Sequence, residues 1–274
     1  MAALSLIATA SPAAASVTIG RLAPAPSLSC VGSTVDLVQP TGTPYVVPPL
    51  PPASALMISS WSHNGAPAAG VFPATGPLTL KVYRKVADPA TYQVTGHDTE
   101  PLIPATLNTF PASLPVQPGD VIGTTTAAPA TSGCNFADPG QPGYLGNASN
   151  LADGESAAFP TTPTANRSLN VTAVVAPSNV FTLAKGKAQK KKGTVAVTVD
   201  VPNPGDIALS GTGVKTTAAT VTAPGQVKLV VAATGKKRKK LNRTGKAKVT
   251  ATVAYTPTGG DASTQSLTLK LKKL

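Results

Sequence analysis

The sequence predicts an all-β protein built as two antiparallel β-sandwich domains, a jelly-roll-like one followed by an immunoglobulin-like one. Segments in which Val, Leu and Thr alternate recur along the chain, the period-two signature of half-buried strands. The 28 prolines and 24 glycines among 274 residues are spread without period, so helix formers rarely run long before a breaker. The length suits two modest domains, and the character of the chain changes at Ala176-Pro177-Ser178.

Taken in order, residues 2–10 are an apolar run too short to cross a bilayer, followed by small residues at Ala13 and Ala15. Residues 1–15 therefore read as a shortened signal peptide cut after Ala15, although no basic segment precedes the run. The first domain is expected over residues 16–176. Its strand candidates are Val17 to Leu22, Val35 to Gln39, Ala55 to His63, Leu78 to Val86, Thr91 to His97, Val121 to Thr125, Ala157 to Phe159 and Ser168 to Val175. In the fourth, Leu78, Leu80, Val82 and Val86 share one face while Thr79, Lys81, Tyr83 and Lys85 share the other. Pro/Gly/Asn stretches such as Asn64 to Gly76 and Pro139 to Asn147 separate the strands, and Pro118-Gly119-Asp120 is a turn feeding one. About eight strands with long loops point to the jelly roll.

The second domain is expected over residues 177–274. Val195, Val197, Val199 and Val201 alternate with Thr and Asp, and Val227 to Ala233, Ala247 to Tyr255 and Leu267 to Leu271 repeat the pattern. Phe181 to Ala184, Asp206 to Ser210 and Val214 to Thr222 bring the set to about seven short strands, punctuated by Pro202-Asn-Pro-Gly205, Pro224-Gly225 and Pro257-Thr-Gly-Gly-Asp261. The antibody-type Cys-Trp-Cys core is absent, which leaves the topology open.

Several stretches carry a resemblance. Ile58-Ser-Ser-Trp-Ser-His-Asn64, Leu78-Thr-Leu-Lys-Val-Tyr-Arg84, Leu107-Asn-Thr-Phe110 and Val116-Gln-Pro-Gly-Asp-Val-Ile-Gly123 resemble a group of exported proteins of high-GC Gram-positive bacteria with no assigned activity. Lys190-Lys-Lys-Gly193, Val201-Pro-Asn-Pro-Gly205 and Tyr255-Thr-Pro-Thr-Gly-Gly260 are similar to their Lys-rich Ig-like module. The likeness covers nearly the whole chain. It implies export and the two-module architecture, and it carries over no catalytic residue.

Charge divides the chain sharply. Eighteen of the 23 Lys and Arg residues follow Pro177, where Asp200, Asp206 and Asp261 are the only acids; five bases and eight acids precede it. The densest clusters, Lys190-Lys191-Lys192 and Lys236-Lys237-Arg238-Lys239-Lys240, sit beside glycines in expected loops, with Lys185, Lys187, Arg243, Lys246, Lys270, Lys272 and Lys273 adding to the field. Bases this dense repel one another, so a polyanionic partner is favoured, with strong salt dependence. For an exported chain that partner is an anionic cell-wall polymer or an acidic surface. Nucleic acid is disfavoured, because no binding motif accompanies the bases and aromatics make up only 4% of the chain. The competing reading is that these lysines keep the sheets soluble and block edge pairing.

Cys30 and Cys134 are the only cysteines, and an even pair in an exported chain is most simply a disulfide. Trp61 and His63 share a strand face and form a candidate ligand face, to which Tyr83 and Tyr92 could add aromatic surface for a sugar. His63, His97, Asp98 and Glu100 match no metal-ligand spacing. No Gly-x-Ser-x-Gly elbow occurs, and the acidic pairs lie in loop-like sequence. No catalytic residue, metal or cofactor is assigned, and no run of ~18 apolar residues marks a membrane span. The expectation is thus an exported, surface-associated, non-enzymatic protein; the alternatives are a carbohydrate-binding module using the Trp61 face and an unrecognised hydrolase.

Overall fold

The structure, a computed structural model, describes residues 16–23, 28–31, 35–40, 42, 44–65, 76–126 and 133–274. The expected signal segment and most of the Asn64 to Gly76 loop lie outside them. The described chain falls into two compact units, Ser16–Leu50 with Ala55–Ser178, and Asn179–Leu274 with Pro51–Ser54.

The first unit contains β1 (Val17–Arg21), β2 (Leu28–Val31), β3 (Val35–Val38), β4 (Leu56–Asn64), β5 (Pro77–Ala87), β6 (Thr91–Pro101) and β7 (Leu107–Val116). It continues through β8 (Val121–Thr126), β9 (Gly133–Ala137), β10 (Leu145–Asn147), β11 (Ser156–Ala158), β12 (Arg167–Leu169) and β13 (Val171–Pro177). One sheet runs β1-β13-β4-β7, a second β10-β3-β8-β5-β6-β11 and a third β12-β9-β2. With β1, β3 to β8 and β13 counted one to eight, the first two sheets hold them as 1-8-3-6 and 2-7-4-5. That interleaving is the strand order of a double-sheet jelly roll. Val38, Tyr83, Val94, Val121 and Phe159 build a core on the second sheet, each large apolar side chain contributing roughly 1.5–3 kcal/mol by leaving water.

The second unit contains β14 (Thr182–Gln189), β15 (Thr194–Val201), β16 (Gly205–Ser210), β17 (Thr217–Val221), β18 (Gly225–Val231), α1 (Gly235–Thr244), β19 (Lys246–Pro257) and β20 (Ser263–Lys272). Its sheets, β14-β15-β18 and β17-β16-β19-β20, enclose one core. The inward valines of β15 meet Ile207, Leu209, Val253 and Leu269 there, as the alternation predicts. The topology that the sequence left open is resolved by β17, which pairs with β16 instead of joining the first sheet. This is an immunoglobulin-like sandwich whose fourth strand joins the sheet of its third, sixth and seventh strands, making that sheet the four-stranded one. Tyr255 locks it, packing edge-on against Phe181 at 5.8 Å and donating its hydroxyl to the Asn203 carbonyl at 2.8 Å.

β2, β9 and β10 are not among the expected strands, β10 falling within the Pro139 to Asn147 stretch read as a loop, and three further elements differ from expectation. β7 carries Pro111 and Pro115, which argue against a strand; it sits at the edge of its sheet, where a missing N–H is tolerated. β5 is buried on both faces: Lys81 and Tyr83 are covered, while Val86 is exposed. Segment 150–159 covers the supposed outer face, with Phe159 edge-on to Tyr83, and a bulge between Lys85 and Ala87 reverses the alternation. The Lys236–Lys240 run, expected in a loop, forms the body of α1. Lys and Arg are good helix formers, Leu241 anchors the helix in the core, and Gly245, at φ 66°, ends it in the left-handed conformation.

Candidate functional site

In the first unit, charge is matched locally. Arg21 pairs with Asp138, Lys81 with Asp36, Arg84 with Asp120 and Lys85 with Asp88. In the second unit no lysine or arginine meets a carboxylate within 4 Å among the described residues. Two of its three acids are engaged otherwise: Asp206 accepts from the Thr220 hydroxyl at 2.6 Å and Asp200 from the Gln226 amide at 3.3 Å.

The unpaired cations gather around α1 and the end of the β19/β20 ladder. The register sets Lys246 opposite Lys272 and Lys248 opposite Lys270. Like charges directly opposed across strands destabilise a sheet, and the two rungs recur about 6.7 Å apart along the strands. Lys240 of α1 joins them, and these five lysines, with Thr244, Ala247 and Leu271, line a groove of about 320 Å³. α1 adds a second strain. Its first turn carries no acid, so Lys236, Lys237 and Arg238 lie at the positive end of the helix dipole, each unfavourable by roughly 0.3–1 kcal/mol at low salt. Lys190, Lys191 and Lys192 occupy the exposed turn between β14 and β15, closed by Lys192 and Gly193 amides donating to the Gln189 carbonyl.

Cations aligned without carboxylates beside them leave a positive field over this surface. The sequence marked Lys190–Lys192 and Lys236–Lys240 but gave Lys246, Lys270 and Lys272 only a background role and did not single out Lys248. The readable signal is a Lys-x-Lys spacing in both strands. Only the pairing of β19 with β20 turns it into a four-lysine platform.

The Trp61–His63 ligand face is corrected by the structure. Trp61 is 1% and His63 0% exposed. Trp61 donates its indole N–H to Asp98 Oδ2 at 2.6 Å and packs on Phe110 with ring centroids 4.8 Å apart. His63 Nδ1 donates to the Asn170 carbonyl at 2.6 Å, and burial holds the imidazole pKa down at about 4. Tyr83 and Tyr92 are also buried. None of the aromatics proposed for a sugar platform reaches solvent. Nor do the two histidines meet: His63 is enclosed on β4, whereas His97 on β6 pairs with Asp153 at 2.7 Å beside a 240 Å³ recess shared with Thr79, Thr99, Lys81 and Asn150. Among the described residues, no three His, Cys, Asp or Glu side chains cluster as metal ligands and no helix is long and apolar enough to cross a membrane. The backbone register of β2 with β9 sets Cys30 opposite Cys134.

Compared with known protein families the chain matches none, and it matches no curated protein.

Proposed function

We propose that this is an exported, surface-associated, non-enzymatic protein whose basic second unit holds the jelly-roll unit near anionic cell-wall polymers. A Cys30–Cys134 disulfide closes the first unit in this reading. The observation that carries the proposal is the five-lysine groove, in which like charges are aligned in opposed pairs with no carboxylate beside them. The opposed like charges weaken the ladder, and a polyanion lying across the rungs relieves the repulsion. The helix run Lys236–Lys240 and the turn lysines Lys190–Lys192 widen the same field.

The test is retention of the full chain on Gram-positive wall preparations, intact or chemically stripped of their anionic polymers. Wild type is expected to bind the intact wall and to lose at least ten-fold on the stripped one. The Lys246→Gln/Lys248→Gln/Lys270→Gln/Lys272→Gln variant should behave on the intact wall as wild type does on the stripped wall. Equal retention on both walls would refute the proposal.

A further inference from the structure

In the first unit, a lysine occupies the centre of the six-stranded sheet. Lys81 of β5 is 3% exposed, and its Nζ donates to Asp36 Oδ1 at 2.7 Å, to the Leu151 carbonyl at 2.7 Å and to Asn150 Oδ1 at 3.0 Å. Asp36 is wholly buried. It accepts from the hydroxyls of Tyr83 and Thr125, and its Oδ2 accepts from the Leu151 amide at 2.8 Å. The Asn150–Leu151 segment is thereby clamped against the lysine and the carboxylate together. The carboxamide carbon of Asn150 lies one bond beyond the oxygen that touches Nζ. Asn150 itself is exposed and lines the 240 Å³ recess at the side of the sheet.

An amine that touches both a carboxamide oxygen and a buried carboxylate brings together the three parts of an amide-exchange reaction. We propose that Lys81 and Asn150 become joined by a side-chain amide bond formed by the chain itself, with Asp36 as the catalytic acid–base. The Lys81 ammonium gives one proton to the Asp36 carboxylate, leaving a neutral amine. Its lone pair forms a bond to Asn150 Cγ. Asp36 then returns the proton to the carboxamide nitrogen as the Cγ–Nδ2 bond breaks. The leaving ammonia takes a further proton from the attacking nitrogen and departs as ammonium through the recess. One N–C bond forms and one breaks, Asp36 ends as a carboxylate, and no oxidant, cofactor or energy source is consumed.

Attack by an amine on an unactivated amide is slow in water. Here the reactants are held by the fold, an arrangement that reaches effective concentrations of roughly 10⁵–10⁸ M in well-oriented systems, and general acid–base help adds roughly 10²–10⁴-fold. The reaction need occur only once in the life of each molecule. The product fastens segment 148–155 to the central strand β5, across the stretch where the sequence alternation failed. Such a cross-link suits a module exposed to proteases outside the cell, and it does not depend on the second unit binding anything.

The experiment is intact mass and peptide mapping of the folded full chain after reduction. The expected result is a mass lower than the sequence mass by one ammonia, with a branched peptide joining Lys81 to Asn150. A succinimide at Asn64-Gly65 would also lose ammonia, so the branched peptide is decisive. Asn150→Ala, on an exposed loop position, should restore the full mass, and the near-isosteric Asp36→Asn should leave the two residues unlinked. Wild-type protein in which Lys81 and Asn150 fall in separate linear peptides overturns the proposal, and the contacts are then those of an ion-paired ammonium alone. Full cross-linking in Asp36→Asn overturns the role given to Asp36.

Discussion

His63 shows how burial fixes one residue's chemistry and one of the molecule's liabilities. It is enclosed on β4 with Nδ1 committed to the Asn170 carbonyl, and Nε2 finds no partner among the described residues. Its pKa is lowered from 6.5 to about 4 because the charged ring would be stripped of water. Between those values the unfolded chain binds a proton that the folded chain refuses, so stability is complete above pH 6.5 and falls as the pH drops toward 4. The loss has an upper bound of roughly 3 kcal/mol. Urea unfolding at pH 7 and pH 4.5 should show a larger fall for wild type than for His63→Gln, and an equal fall would contradict the assignment. Lys81 teaches the complementary lesson. Local alternation assigned it to solvent, and its burial depends on Asp36 and Asn150, 45 and 69 residues away. Nothing in the strand's own sequence carries that information.

Among elements, the strands with clean alternation were legible and those shaped by their neighbours were not. β15 and β19 follow their valines and alanines directly. β7 was hidden by Pro111 and Pro115, since only its edge position makes them harmless. α1 was hidden because its single apolar residue, Leu241, leaves no helical period to detect. The turn at Pro118-Gly119-Asp120 was readable, but its fastening was not: Asp120 accepts from the Gln117 amide at 2.8 Å and holds Arg84 through two bonds of 2.8 and 2.9 Å. The β2/β9 pair allows a prediction at this scale. Directly opposed residues of antiparallel strands have Cα atoms about 4.5–5.5 Å apart, within reach of a disulfide. Intact mass should therefore rise by two hydrogens on reduction. Closing a loop of this length stabilises by at most about 4–5 kcal/mol, so Cys30→Ser/Cys134→Ser should melt earlier than wild type. An unchanged mass would remove the disulfide from the account.

Across the whole molecule, the charge division read from the sequence corresponds to a division of chemistry. The first unit pairs four of its five bases with aspartates, Arg167 donating to Asn135 instead, and the second leaves its bases without carboxylate partners among the described residues and brings five of them to one groove. The clusters in sequence were visible, but the groove was not, because it is made by the β19/β20 register and the placement of α1. The proposed function rests on this groove binding linear polyanions by charge. The affinity of the full chain for inorganic polyphosphate as a function of salt reads that binding. Each lysine that releases a counterion contributes about 0.7 to the slope of log K against log salt. Wild type should therefore show a slope of at least roughly −3, and replacing Lys246, Lys248, Lys270 and Lys272 with Gln should make it shallower by about 3. A wild-type affinity that is flat with salt, or a slope that the four substitutions leave unchanged, would contradict the account.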